Sequence, residues 1–494
     1  MKPLVAGMLG CVTLTLAAGR DTPPPVFVPL DAARFAAGAT LTNAFADVDR
    51  DGDPDLFVGF NGSPNRLYRN DGSGQFEDIA PALGLATARA TRGAAFGDAD
   101  GDGDPDLALG FAPGRAPVLA VWRNDGRSFA SVAIAGLRPD TAAQIRQLAW
   151  IDVDGDDDLD LFVAWRDRPN ALYRNDGAWR FTDIADSVGL ADARKTVGAT
   201  WADLDADGDL DLVTANQDGD ANGLFINDRG RFRDIADSAG VAWGGRAPAL
   251  VSNGSVRPCA DDVDGDGRLD LFFANYGPNG LLLQRGGGRF VDVSAAWGVA
   301  TDARWDACAF ADWDHDGALD LYVNGTVTGG TSYPDVLYAQ RNGRLEDVTP
   351  ASLRAVEADH GVIWADVDAD GDLDLALTGV RPDGMHHVMR NDLPDSLRVR
   401  SVQVRVLDRR GRATRAGAEV RVYAAGTRRL LGLRVVDAGS GYNAQSDLPV
   451  HVGVGAERRV DIEVTVLAGG QRRTVWRRGV EVAAAVGSAI RILR

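Results

Sequence analysis

Lysine is almost missing from this 494-residue sequence: Lys2 and Lys195 stand against fifty arginines, so lysine-based chemistry has next to nothing to work with. Cysteine is nearly as scarce, and three residues cannot build a disulfide scaffold. Cys11 falls in the leader, and Cys259 and Cys308 are read as buried thiols rather than as a bridge. Of the five histidines only His386 and His387 adjoin, in a loop with no other ligands. No zinc spacing, Gly-x-Ser-x-Gly elbow or phosphate loop occurs. A basic footprint is also wanting: 52 Lys and Arg face 71 Asp and Glu, a net charge of −19, which argues against a nucleic-acid partner. No later segment has the run of ~20 apolar residues that a membrane span needs.

The start of the chain reads as an export signal over residues 1–19. Lys2 is followed by an uncharged stretch from Pro3 to Ala18, and small residues precede the polar Arg20-Asp21. Met8-Leu9-Gly10-Cys11 loosely resembles a lipoprotein cleavage site, but the apolar stretch continues past Cys11, which favours simple cleavage near residue 19. Residues 20–26 are a linker, and the expected location is secreted, periplasmic or cell-surface. The length predicts two or more folded units, and 45% hydrophobic with 25% charged residues excludes wholesale disorder.

What the chain has in excess is aspartate and glycine, and both are organised. The pattern Asp-x-Asp-x-Asp-Gly-x-x-Asp-Leu starts at Asp47, Asp98, Asp152, Asp203, Asp262, Asp312 and Asp366, at a period of 50 to 59 residues. An aromatic stands two residues before most copies: Phe45, Phe96, Trp150, Trp201, Phe310 and Trp364. After the motif come an apolar strand, a polar loop, a strand such as Leu67-Tyr68-Arg69-Asn70, often an Asn-Asp-Gly turn, and a last strand. Four short strands per repeat predict an all-β fold, a seven-bladed β-propeller over 27–392. Only six last strands follow the seven motifs. Phe27-Val28-Pro29-Leu30-Asp31 is therefore expected to close the seventh blade, Pro29 being tolerable on an outermost strand. From about Leu397 the pattern changes to alternating strands. Nineteen arginines against eight acidic residues make this end +11 and leave −30 for the rest, so 397–494 is read as a separate, basic β-sandwich-like domain beyond a joint at Pro394-Asp395.

Carboxylates at positions 1, 3, 5 and 9 of a loop, with the carbonyl of position 7, suit the oxygen shell of Ca²⁺, and seven ions are expected. The first loop would use Asp47, Asp49, Asp51, Asp53 and Asp55, the second Asp98, Asp100, Asp102, Asp104 and Asp106. The third would use Asp152, Asp154, Asp156, Asp158 and Asp160, the fourth Asp203, Asp205, Asp207, Asp209 and Asp211. The fifth and sixth carry Asp262, Asp264, Asp266, Arg268 and Asp270, then Asp312, Asp314, Asp316, Ala318 and Asp320. The seventh carries Asp366, Asp368, Asp370, Asp372 and Asp374. An EF-hand is excluded, because its position-12 glutamate is replaced by apolar residues or Thr214. Asp157 stands where the other loops have glycine, a place that asks for positive φ.

Phe96-Gly97 before an aspartate loop, repeated sevenfold, resembles the FG-GAP repeat of integrin α-chain propellers. Ala416-Gly417-Ala418-Glu419-Val420, Gly439-Ser440-Gly441-Tyr442-Asn443-Ala444-Gln445-Ser446 and Val452-Gly453-Val454-Gly455 resemble the ASPIC/UnbV domain. The pair is similar to the cartilage acidic protein-like family, with one departure at Leu467-Ala468-Gly469-Gly470, where that family usually has Trp-Pro-x-Gly. The resemblance implies calcium in the loops, while long loops bearing aromatics and arginines on a rigid scaffold point to a binding protein rather than an enzyme. Its ligand, an extracellular glycan or protein, is expected on the face opposite the calcium sites, through Trp165, Arg166, Trp243, Tyr276 and Tyr333. The alternative is a secreted carbohydrate-active enzyme of polysaccharide-lyase type. Asp306 and His360, six residues before their motifs, would then be acid and base in the central channel near Arg92 and Arg146.

Overall fold

The structure, a computed structural model, describes residues 24–30, 34–35, 38–137, 140–242, 254–356, 360–379, 385–413, 415–467 and 470–493. The export signal, most of the linker, Trp243 and Ala468-Gly469 lie outside the described residues.

The fold is all-β and propeller-like. The first repeat makes a four-stranded antiparallel meander, Thr40–Ala46, Asp55–Phe60, Arg66–Asn70 and Phe76–Asp78. Six further meanders begin with Thr91–Gly97, Ile145–Ile151, Thr196–Ala202, Gly254–Asp261, Asp302–Ala311 and Val362–Ala365. Each first strand packs beside the first strand of the next sheet, and Val362–Ala365 packs beside Thr40–Ala46, so the series returns on itself. The fourth strand of the last sheet is Phe27–Pro29, in register Phe27 to Asn391, Val28 to Arg390 and Pro29 to Met389. Pro29 sits on the outer edge, where its missing N–H costs no ladder bond.

Two recurring side chains join neighbouring sheets. Where an aromatic precedes the motif it is buried, and two of the tryptophans reach backward with their indoles: Trp150 Nε1 donates to Ala95 O at 3.2 Å and Trp364 Nε1 to Ala309 O at 3.4 Å. The amide at the end of the third strand does the same in most sheets. Asn124 Nδ2 donates to Val48 O at 2.9 Å, Asn175 to Ala99 O at 2.9 Å and Asn391 to Trp313 O at 2.9 Å. Asn70 donates across the junction of first and last sheets, to Val367 O at 2.8 Å. Phe27 seals the junction of the sixth and seventh sheets, 2% exposed between the rings of Trp313 and Trp364, both with centroids at 6.1 Å.

Beyond the short helix Asp395–Arg398 the C-terminal domain packs a three-stranded sheet on a four-stranded one. Strand Ser401–Leu407 lies between Val450–Gly453 and Ala489–Leu493, and Glu419–Ala424 lies between Leu430–Val435 and Arg459–Leu467, which also pairs with Arg472–Glu481. Alternation places Val402, Val404, Val420, Val422, Ile462 and Val464 in one core.

The cysteines correct the reading from sequence. Cys259 and Cys308 are joined in a disulfide, not free, with Cα atoms 6.3 Å apart. They lie on the first strands of adjacent sheets, which the packing of successive inner strands brings side by side.

Candidate functional site

Each aspartate loop ends a first strand and begins a second. Positions 1, 3 and 9 converge: one oxygen from each of Asp47, Asp49 and Asp55 lies within 4.8 Å of the others. The same holds for Asp98, Asp100 and Asp106, for Asp152, Asp154 and Asp160, for Asp203, Asp205 and Asp211, and for Asp262, Asp264 and Asp270. Position 5 is turned to the loop itself: Asp51 Oδ1 accepts from Asp53 N at 3.0 Å, Asp156 Oδ1 from Asp158 N at 3.0 Å and Asp316 Oδ1 from Ala318 N at 2.8 Å. Arg268, at position 7 of the fifth loop, pairs its side chain with Asp266. Position 9 is held twice by backbone, as where Asp55 accepts from Val48 N and Asn70 N, both at 2.9 Å. Asp157 takes φ 74°, in the left-handed region that Gly52 occupies at 105°. Position 4 is left-handed as well, at Arg50 (62°), Ala206 (64°), His315 (56°) and Ala369 (55°), which nothing in those residue types announces.

The residues fit a hard dication. Asp47 Oδ1, Asp98 Oδ1, Asp264 Oδ1, Asp320 Oδ2 and Asp368 Oδ1 are buried without a hydrogen-bond partner. Burial pushes Asp55, Asp106 and Asp160 up to about 8, and neighbouring loop carboxylates add to the rise. Asp98 and Asp152 are raised to about 6, again mainly by burial, and Asp262 to about 7. A cation bound among three carboxylates supplies the charge that burial withholds.

The C-terminal domain sits on this same face. Arg472 pairs with both Asp203 and Glu419. Gln403 Nε2 donates to Asp366 Oδ2 at 2.6 Å, Arg398 reaches Asp370 at 3.2 Å, and Arg415 reaches Asp157 at 2.6 Å. Gly453 lies so close to Asp312 that a β-carbon there would overlap the carboxylate. The fit is not complete: a cleft of about 790 Å³ between the domains reaches Asp47, Asp98 and Asp366.

From this docked domain residues 437–446 enter the axis of the ring. Half-buried Asp437 shapes the segment by accepting from Gly439 N at 2.9 Å, Ser440 Oγ at 2.6 Å and Ser446 N at 2.7 Å. Gln445 clasps the third sheet through both its amide atoms, accepting from Trp150 N at 2.6 Å and donating to Trp150 O at 2.9 Å. Ala444–Gln445 adds a parallel strand beside Ala94-Ala95, Ser446 Oγ accepts from Phe45 N at 3.1 Å, and Asn443 Nδ2 donates to Arg92 O at 3.1 Å. Tyr442, which the sequence did not single out as functional, stacks on His360 of the seventh sheet at 4.7 Å.

Asp306 and His360 do meet, with His360 Nδ1 2.5 Å from Asp306 Oδ2. Arg92, Arg146 and Arg166 all act on Tyr442 through their charge. Other residues expected on the open face divide. Trp165 is buried, 6% exposed, in the core of the third sheet, and it is no surface ring. Arg166 is tied to Gln217 at 2.5 Å and Asp218 at 2.9 Å. Tyr276 is half-buried in the axial group, and Tyr333 is half-buried at the rim of the sixth sheet. On the outer sheet of the C-terminal domain Trp476 is 40% exposed and stacks on Tyr423 at 5.5 Å, with the Arg478 guanidinium 4.3 Å from its ring centre.

Comparison with known proteins places these features. The FG-GAP-like repeat family matches residues 47–109, 152–214 and 262–323, and the ASPIC and UnbV family matches residues 409–476. Cartilage acidic protein 1 of Mus musculus is 27% identical over 347 residues, which is 65% of this chain and 51% of that protein, so the chain spans about half the length of this curated relative. Among solved structures, an Agrocybe aegerita lectin specific for non-reducing terminal N-acetylglucosamine is 18% identical, covering 64% of this chain and 81% of its own at a TM-score of 0.39. A rhamnogalacturonan lyase is 15% identical, covering 75% and 76% at a TM-score of 0.39. At these scores neither likeness bears on function. The chain thus carries FG-GAP-like repeats followed by an ASPIC and UnbV domain, and it is similar to cartilage acidic protein 1.

Proposed function

We propose that the chain is an exported, calcium-stabilised seven-bladed propeller that binds an extracellular glycan or protein through the face opposite its metal loops. One observation carries the reading. The basic domain covers the loop face, with Arg472 on Asp203 and Gln403 on Asp366, and threads Tyr442 into the axis from that side. The opposite face, where the first strands begin, is left for a partner. Arrays of extracellular glycans and proteins, probed with the full chain in calcium, test this. Binding lost on altering open-face residues such as Tyr276 and Tyr333 supports it, and binding that follows Trp476 instead overturns it.

A second reading, a carbohydrate-active enzyme of lyase type, is favoured by the contact of His360 with Asp306 beside a tyrosine. Incubation with pectin, alginate and rhamnogalacturonan separates the two readings. New unsaturated uronate ends that vanish in His360→Ala would establish catalysis, and intact polymers leave binding as the function.

A further inference from the structure

The first strands share an irregularity whose consequence is chemical. The register slips between Thr91 and Gly93, between Ile145 and Leu148, and between Trp305 and Ala307, leaving Arg92, Arg146 and Asp306 unpaired by the ladder. A bulge of this kind re-aims a side chain. Here the three re-aimed residues gather around the inserted Tyr442, whose hydroxyl feels the charges of Asp306, Arg146 and Arg92. Equivalent slips in the first, fourth and fifth sheets free Leu41, Val197 and Val256, which are buried, so the polar positions come from the second and third sheets on one side of the axis and from the sixth on the other.

This axial group is rich in positive charge and in flat rings. Neither Arg92 nor Arg146 has an ion-pair partner among the described residues, and the buried Nε of Arg146 has no hydrogen-bond partner at all. Arg146 spends Nη1 on the carbonyl of Ile145 at 3.1 Å. Arg304 lies 5.3 Å from the Tyr276 ring centre and keeps a buried Nη1 unmatched. The one carboxylate of the group, Asp306, is taken up by His360 and by the Tyr276 hydroxyl. Its Oδ1 is buried without a hydrogen-bond partner, it makes no ion pair with Arg92 or Arg146 among the described residues, and one carboxylate does not balance three guanidiniums. Arg92, Arg146, Tyr276, Arg304, His360 and Tyr442 are all half-buried.

We infer that this axial group is a binding site for the carboxylate of a uronate sugar in an acidic glycan. The inference rests on the open-face reading above and names its ligand. Planar guanidiniums match a carboxylate in two parallel bonds. The stacked Tyr442 and His360, with Tyr276 beside them, offer the flat apolar surface that a sugar ring covers. A site built for the carboxylate rejects the neutral sugar, because the arginines would be left unmatched.

The test uses the full chain in calcium and titrates it with an oligogalacturonate, a neutral galactose oligomer of equal length and polyglutamate. The oligogalacturonate should bind, and the neutral oligomer should bind at least about tenfold more weakly, the discrimination that an unmatched polar group produces. Arg92→Gln with Arg146→Gln should abolish the preference while calcium content and melting stay as in the parent. Tyr442→Phe, which keeps the ring, should retain it, and Tyr442→Ala should lose it. Equal binding of acidic and neutral oligomers, or a preference that survives the double change, overturns the inference. Polyglutamate binding as well as the uronate overturns the sugar assignment. If a ligand found on arrays still binds the double variant but not a Tyr333 variant, the axial site falls while the open-face reading stands. If the uronate binds but is lost only on Trp476→Ala, both fall.

Discussion

Tyr442 of the C-terminal domain lies on His360 of the seventh sheet with ring centres 4.7 Å apart and planes 16° from parallel. The two residues belong to different domains, so the axial group is a joint product of both. This explains how a chain of repeats comes to have a unique centre. The sheets supply similar positions around the axis, but one inserted segment touches the first, second, third and seventh of them unequally. Symmetry is broken by the second domain, and chemistry collects where it is broken.

Calcium removal is the first test of the loops. Each site at about 100 times its Kd contributes ~2.7 kcal/mol of stability, and seven divalent ions would take the −30 of the first part of the chain to −16. Excess EGTA should lower the melting temperature by more than about ten degrees. An unchanged melt would show that the aspartates hold their loops by hydrogen bonds alone.

Ring closure depends on a short strand near the start. Phe27→Ala removes a ring that is 2% exposed between Trp313 and Trp364, and should cost about 3–5 kcal/mol in denaturant unfolding. Val28 is 38% exposed on the same strand, and Val28→Ala should cost less than about 0.5 kcal/mol. Equal effects would mean that the strand contributes no core.

The motif made much of this legible because it anchors the register. Counting back six residues from each first aspartate finds Arg92, Arg146, Asp306 and His360; the first three fall at register slips, and Asp306 meets His360. Trp165 was misread as a loop ring, although Leu161, Val163 and Trp165 alternate along one strand and share one core. That parity was available and outweighs the aromatic's place at a strand end. Tyr442 was not legible, because an insertion between domains follows no period in either. The disulfide was missed for a related reason: which inner strands touch is a property of the closed ring, not of the spacing between Cys259 and Cys308.

The disulfide should matter to stability. It closes a loop with a sequence separation of 49, which in the chain-entropy account stabilises by about 4 kcal/mol. Cys259→Ser with Cys308→Ser should therefore melt well below the parent, and the parent should fall to the same temperature in reductant. A variant that melts like the parent in oxidising buffer would show that the two thiols are not bonded in solution.

Acid should act through buried His386. It is 1% exposed beside Phe35, with ring centres 5.7 Å apart, and neither ring nitrogen has a partner. Burial pushes it down to about 3, and the nearby His387 adds to the shift. A folded value below the unfolded one means stability present above about pH 6.5 and lost as pH falls, by about 2 kcal/mol at pH 5. With calcium held in excess, His386→Phe should flatten the decline between pH 6.5 and 5 relative to the parent. Parallel curves would place the acid sensitivity elsewhere.

The last prediction concerns competition between arginine and calcium at the fourth loop. Arg472 bridges Asp203, a position-1 aspartate, and Glu419, which is 2% exposed. Removing the guanidinium leaves buried Asp203 without its cation, while Glu419 keeps Arg421, and breaking a buried pair in this way costs about 3–5 kcal/mol. Arg472→Gln should therefore lower stability in EGTA. Calcium acts the other way: a dication in the loop is repelled by the guanidinium and attracted to the carboxylates it leaves behind. The rise in melting temperature on adding calcium should then be larger in Arg472→Gln than in the parent, with part of the lost stability recovered. Asp203 is raised to about 7, mainly by burial, so the comparison belongs at pH 8, where that carboxylate is ionised. A smaller calcium response in the variant would show the opposite relation, that Arg472 holds Asp203 in place for the ion rather than competing with it.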